Sequence, residues 1–159
     1  LEETCKGIAN IKHIPGRAQL FLGRNDCLEI SDSYNANFYS TSAAIRNLCA
    51  LPHQRRILFL GSMFELADDA EKDHRKLGQE LADINILVTV GEGAAYVADE
   101  ARRCGMDNRN IFCTDSIEEA ILLVPRLSLD SETAILVKGS GAMRMELVTL
   151  YLLTEPKIL

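Results

Sequence analysis

Three apolar runs, Ile57-Leu58-Phe59-Leu60, Ile86-Leu87-Val88-Thr89-Val90 and Thr133-Ala134-Ile135-Leu136-Val137, are each followed at once or one residue later by glycine. A strand with one wet face alternates apolar and polar residues, so unbroken runs of this length describe strands buried on both faces. Between them lie stretches with helical spacing. Ala43, Ala44, Ile45, Leu48 and Leu51 recur on one face until Pro52. A polar helix is expected from about Asp69 to Ile84, another around Ala94 to Arg103 with Gly105 as its left-handed cap, and one opened by Ser116-Ile117-Glu118-Glu119 and running to about Leu127. Ile111-Phe112-Cys113 reads as a short strand and Met143 to Leu153 as a closing helix. Repeated strand-helix units imply right-handed crossovers, so the expected fold is α/β: a Rossmann-like, mostly parallel sheet with helices on both faces.

The beginning differs. Arg17 to Leu22 and Cys27 to Ile30 flank the polar stretch Gly23-Arg24-Asn25-Asp26, which suits an N-terminal antiparallel hairpin. Before it, Leu1 to Lys12 carries Ile8 and Ile11 among polar neighbours and ends near the turn signal Pro15-Gly16, as a connector does. The expected division is therefore a connector over 1–14 and one compact domain over 15–159. The absence of an initiating methionine fits a domain cut from a longer chain.

Composition narrows the functional classes. Of 159 residues, 47% are hydrophobic and 25% charged, and no apolar run is long enough to span a bilayer. No basic start and apolar core of a signal peptide precede the domain, so a cytoplasmic location is expected. A net charge of −6 disfavours nucleic acid as the main partner. Cys5, Cys27, Cys49, Cys104 and Cys113 form no C-x-x-C pair and read as reduced thiols, and their spacing to His13, His53 and His74 suggests no metal site.

In open parallel sheets, ligands gather beyond the carboxyl ends of the strands. The loop Asp32-Ser33-Tyr34-Asn35-Ala36-Asn37 places a carboxylate that could accept both hydroxyls of a ribose next to amides and a phenol. The same residue types also make turns and caps, and Asn37 or Ser40 could simply start the next helix. Lys138-Gly139-Ser140-Gly141 combines an ammonium, a hydroxyl and free backbone amides before a helix, which suits a carboxylate or phosphate. A glycine-dependent turn beside a solvated lysine accounts for it equally well. The order G-x-x-x-x-G-K-[ST] occurs nowhere, so a triphosphate-cradling P-loop is missing. Gly91-Glu92-Gly93 would open a dinucleotide fingerprint, but Tyr96 stands where the third glycine belongs. His74, among Glu71, Lys72, Asp73 and Arg75, reads as solvated or locally bonded more readily than as a catalyst, and the acidic run Asp68-Asp69-Ala70-Glu71 as a helix start.

Taken in order, Pro15-Gly16-Arg17, Asp32-Ser33-Tyr34-Asn35-Ala36-Asn37, Leu60-Gly61-Ser62-Met63-Phe64-Glu65-Leu66 with His74, Val137-Lys138-Gly139-Ser140 and Met145-Glu146 resemble the Mur ligases, and among them the members that add D-alanyl-D-alanine. The resemblance runs from about Gly16 to Val148. It implies the last of three domains of an enzyme that uses ATP and magnesium to join UDP-N-acetylmuramoyl-tripeptide to D-alanyl-D-alanine, through an acyl phosphate. By the same resemblance, Arg17 and Asp32 contact the ATP ribose, and Tyr34, Asn35 and Asn37 line the nucleotide side. Lys138, Ser140, Met63 and His74 fall on the substrate side. The P-loop and the magnesium ligands belong to the central domain, so no metal ligand is expected here and the isolated domain should be inactive. The central and N-terminal domains are its expected partners.

Two positions depart from the family pattern: Phe38 where proline usually follows N-A-N, and Gly141 where arginine usually follows K-G-S. The rival readings are the corresponding domain of another Mur ligase or of folylpolyglutamate synthase, and a stand-alone nucleotide-binding module.

Overall fold

The computed structural model describes residues 14–66 and 69–153. The proposed connector therefore lies almost wholly outside the described residues, as do Cys5 and Asp68. Six strands form one sheet: β1 (Gln19–Leu22), β2 (Leu28–Asp32), β3 (Arg55–Gly61), β4 (Ile86–Val90), β5 (Ile111–Thr114) and β6 (Thr133–Lys138). Their order is β1-β2-β6-β3-β4-β5, antiparallel between β1 and β2 and parallel elsewhere. Among the described residues five α-helices accompany them: α1 (Phe38–Ala50), α2 (Ala70–Gly78), α3 (Glu92–Arg103), α4 (Ile117–Leu123) and α5 (Glu146–Leu153). Among the described residues, no helix is long and apolar enough to cross a membrane.

The apolar runs are continuous because the sheet is covered twice. Leu58 and Leu60 of β3 and Leu136 of β6 pack with Ile45 and Leu48 of α1, Leu77 of α2 and Val97 and Ala98 of α3. Their neighbours Ile57, Phe59, Ile135 and Val137 pack on the opposite side with Ile117 and Ala120 of α4 and Val148 and Leu152 of α5. Burying each such side chain is worth about 1.5–3 kcal/mol, so the central strands anchor both layers.

Three helices are shorter than their periodicity suggests, each for a local reason. The first, α2, stops at Gly78 rather than near Ile84. A Cβ at Gly78 would lie 2.6 Å from Glu100 Cβ and 2.7 Å from the Val97 carbonyl oxygen, so glycine is needed for contact with α3 and is also a poor helix former. In α4 the regular helix ends at Leu123, and Val124-Pro125-Arg126 finishes it as a single tight turn. The closing helix begins at Glu146 because Arg144 adopts a left-handed conformation, φ 56°, after the turn Gly141–Met143. Gly105, at φ 97°, takes the left-handed position expected after α3. Ser116 caps α4 by accepting the Glu119 N–H at 3.3 Å, while the Glu119 carboxylate reaches back to the Asp115 N–H at 3.0 Å. The four described cysteines are free thiols.

Candidate functional site at the carboxyl ends of the strands

Inserting β6 between β2 and β3 brings three loops together at one end of the sheet. In the parallel register Asp32 lies beside Lys138 and Leu60 beside Lys138 on the other flank, so β6 delivers its lysine between the ends of β2 and β3. The Lys138 ammonium is 1% exposed and donates to Asp32 Oδ2 at 2.6 Å and to the Asn35 carbonyl at 3.0 Å. Lys138 is thus neither the solvated lysine nor the open anion site that its sequence setting suggests. Its partner is a carboxylate of the same chain, since burying an ammonium without one is costly.

Asp32 also holds the entry to the domain. Its second oxygen accepts the Ala18 N–H at 3.2 Å, and Tyr34 N–H donates to the Gly16 carbonyl at 2.9 Å. Gly16 takes φ 71° here, and a Cβ would meet Tyr34 N at 3.1 Å, so the turn requires glycine on both counts. The result sets Arg17 over the Tyr34 ring, 4.1 Å from guanidinium carbon to ring centroid, with Tyr34 55% exposed. A cation lying on an exposed aromatic face leaves the outward side of both groups open. Asn35 is exposed and its side-chain oxygen accepts the Ala36 N–H at 2.8 Å. Asn37 caps α1: its side chain accepts the Ser40 N–H at 2.9 Å while Ser40 Oγ accepts the Asn37 N–H at 3.2 Å.

The loop after β3 is fastened from two sides. His74 of α2 is 1% exposed, so it is not solvated; its Nε2 accepts the Met63 N–H at 2.9 Å and its Nδ1 bonds the Ala70 carbonyl at 2.7 Å. Because Nε2 accepts, the proton sits on Nδ1 and the ring is neutral. Burial pushes its pKa below the usual value, against the opposing pull of the Ala70 carbonyl and the Asp73 charge. Met63 is buried, and its sulfur accepts a hydrogen bond from Thr41 Oγ1 at 3.7 Å. From β6, the buried Ser140 accepts the Phe64 N–H through its hydroxyl at 2.8 Å and donates its own N–H to the Ser62 carbonyl at 3.2 Å.

Ser62 and Gly93, read in the sequence only as parts of longer motifs, and Ala18, which carried no signal, join the candidate site. Ser62 Oγ accepts the Ala94 N–H at 3.1 Å, capping α3 where Gly91 has no side chain to do so. Gly93 is the plain element of a helix start, but a Cβ there would lie 2.9 Å from the His74 ring. Their clue in the sequence is small size beside a strand end, which many turns share. Arg17, Asp32, Tyr34 and Asn35 are brought together around one turn, with Lys138 beneath it. Met63, His74 and Ser140 support the neighbouring loop from inside. Among the described residues, no group of three His, Cys, Asp or Glu side chains could hold a metal.

Fold and site together define a doubly covered, mostly parallel α/β domain whose strand ends carry an exposed Arg–Tyr pair over a buried Lys–Asp pair. Residues 16–141 match the Mur ligase, glutamate ligase domain family, and the chain belongs to it. It is 33% identical over 149 residues to the UDP-N-acetylmuramoyl-tripeptide--D-alanyl-D-alanine ligase of Escherichia coli K12, covering 92% of this chain and 31% of that protein. Of solved structures, a MurF from Acinetobacter baumannii superposes with a TM-score of 0.80 at 25% identity, covering 98% of this chain and 34% of that one. A MurF ligase from Thermotoga maritima in complex with ADP shares the fold, with a TM-score of 0.74 at 22% identity, over 91% of this chain and 32% of that one. The chain thus spans about a third of the length of the relatives it matches.

Proposed function

We propose that this chain works as the C-terminal domain of an ATP-dependent ligase that joins D-alanyl-D-alanine to UDP-N-acetylmuramoyl-tripeptide in peptidoglycan precursor synthesis. In this reading residues 1–14 connect it to a central ATPase domain, and residues 15–159 form the domain itself. The observation that carries the reading is the turn that presents Arg17 and Tyr34 at the strand ends, in a chain of this family. A guanidinium and an aromatic ring, both open on one side, fit the mixed anionic and planar character of a nucleotide. Asp32 keeps 18% of its side chain exposed, enough to accept a hydroxyl from that side while paired below.

ATP, when bound, supplies the phosphoryl group that activates the tripeptide carboxylate, and the dipeptide amine then displaces phosphate. The P-loop and magnesium ligands are assigned to the central domain. What this chain contributes is orientation: Arg17, Asp32, Tyr34, Asn35 and Asn37 lie on the nucleotide side, and the loops held by Met63, His74 and Ser140 border the incoming dipeptide. Closing such a surface onto the central domain excludes water from the activated carboxylate. The setting is cytoplasmic, where the nucleotide-linked substrate and ATP meet.

The test is ligation by the full-length protein. Given ATP, magnesium, the UDP-linked tripeptide and D-alanyl-D-alanine, it should form the dipeptide adduct and release phosphate, whereas the isolated domain should do neither. Extension of a different acceptor, such as a folate with glutamate, in place of the dipeptide adduct would overturn the reading.

A further inference from the structure

Lys138 has the burial of a core residue and the charge of a ligand-binding one. Its ammonium has three donors, and three acceptors of this chain surround it: Asp32 Oδ2 at 2.6 Å, the Asn35 carbonyl at 3.0 Å and the Asp32 carbonyl at 3.5 Å. With 1% exposure, no donor is left pointing outward. The two groups it grips bracket Ser33-Tyr34, the turn on which Arg17 rests. A second contact presses the same turn onto the same loop. A Cβ at Gly141 would lie 2.8 Å from the Tyr34 carbonyl oxygen, so the glycine lets the two backbones touch. Asp32 Oδ1, bonded to Ala18 N–H, extends the clamp to the segment carrying Arg17.

We propose that Lys138 is a positioning residue: acting through Asp32 and the main chain of Asn35, it sets the Tyr34 turn and Arg17 on the nucleotide side, and it does not bind the carboxylate of the incoming dipeptide. The inference rests on the ligase reading above, in which that turn faces ATP. It reassigns the lysine from the substrate side of the site to the nucleotide side.

The experiment uses the full-length protein with wild type, Lys138→Met, Asp32→Asn and the double variant, each checked for folding by circular dichroism. Wild type is assayed first; if it forms no dipeptide adduct, the ligase reading falls before Lys138 is tested. With active wild type, Lys138→Met should raise the KM for ATP by about tenfold or more, the scale of a lost charge-assisted hydrogen bond, and leave the KM for D-alanyl-D-alanine within about twofold. The double variant should be no worse than the worse single, because both substitutions break one clamp. Wild type and Lys138→Met should also discriminate equally between the dipeptide and its C-terminal amide. A raised KM for the dipeptide, with that discrimination erased by Lys138→Met, overturns the proposal, as do losses that multiply in the double variant. If Lys138→Met does not fold, Gly141→Ala keeps the lysine and displaces the same turn. It should raise the KM for ATP alone, and a rise confined to the dipeptide overturns the proposal.

Discussion

His74 Nε2 accepts the Met63 N–H at 2.9 Å, so a helix side chain carries the backbone of the loop that follows the central strand. The bond exists only while the ring is neutral, and burial already holds the His74 pKa below 6.5. A depressed folded pKa means that the stabilisation is complete above the unfolded value and is lost as pH falls through the folded one. The melting temperature of wild type should therefore drop relative to His74→Gln as pH is lowered from 7.5 to 5. His74→Ala, which leaves the Met63 N–H unsatisfied in the interior, should cost about 1–3 kcal/mol at neutral pH. Parallel pH profiles for wild type and His74→Gln would count against the bond.

Glu29 of β2 acts in the opposite direction. It is fully buried, neither carboxylate oxygen has a hydrogen-bond partner among the described residues, the nearby Thr149 hydroxyl being bonded to Ser31 Oγ at 3.0 Å, and burial raises its pKa from 4.5 to about 7. A raised folded pKa means that the neutral form suits the fold, so stability present below 4.5 is lost as pH rises through 7. The full difference is on the order of 3 kcal/mol. Glu29→Gln should gain stability relative to wild type between pH 5 and pH 9 by that order. A difference that does not change with pH in chemical denaturation would show that the carboxylate is already compensated.

Gly78 tests packing against propensity. Alanine is the better helix former by about 1 kcal/mol, and on propensity alone Gly78→Ala should stabilise α2. Its Cβ would fall 2.7 Å from the Val97 carbonyl oxygen, which is backbone and cannot rotate away. We expect Gly78→Ala to destabilise by about 1–3 kcal/mol, the range for overpacking, as read by urea unfolding.

Asn37 separates capping from nucleotide contact. Asn37→Ala should cost about 1 kcal/mol through the lost cap on α1, while Asn37→Ser should restore most of that stability. If Asn37 also lines the nucleotide side in the full-length protein, Asn37→Ser should still raise the KM for ATP. An unchanged KM would leave the residue as a cap alone.

The fold was legible in the sequence to the extent that burial is local. Continuous apolar runs at β3, β4 and β6 specify strands covered on both faces, and the glycines after them mark the ends where the chain turns. Helix starts at Ser116 and Asn37 were readable because capping needs only residues three apart. Helix ends were less so: Gly78 stops α2 because of α3, and Arg144 delays α5 through a left-handed backbone, neither of which appears in a 3.6-residue period.

The site residues were visible as a set of strand-end loops, but their roles were not. A lysine before two glycines reads the same whether it awaits an anion or has found a carboxylate. Placing β6 between β2 and β3 decided the matter by putting Lys138 beside Asp32, 106 positions earlier in the chain. The sequence by itself determined which segments must be buried, because apolar periodicity is a property of neighbours along the chain. Only the tertiary structure decided which charges meet, because strand order depends on how whole faces pack, and a buried ammonium takes whichever acceptor that packing brings within reach.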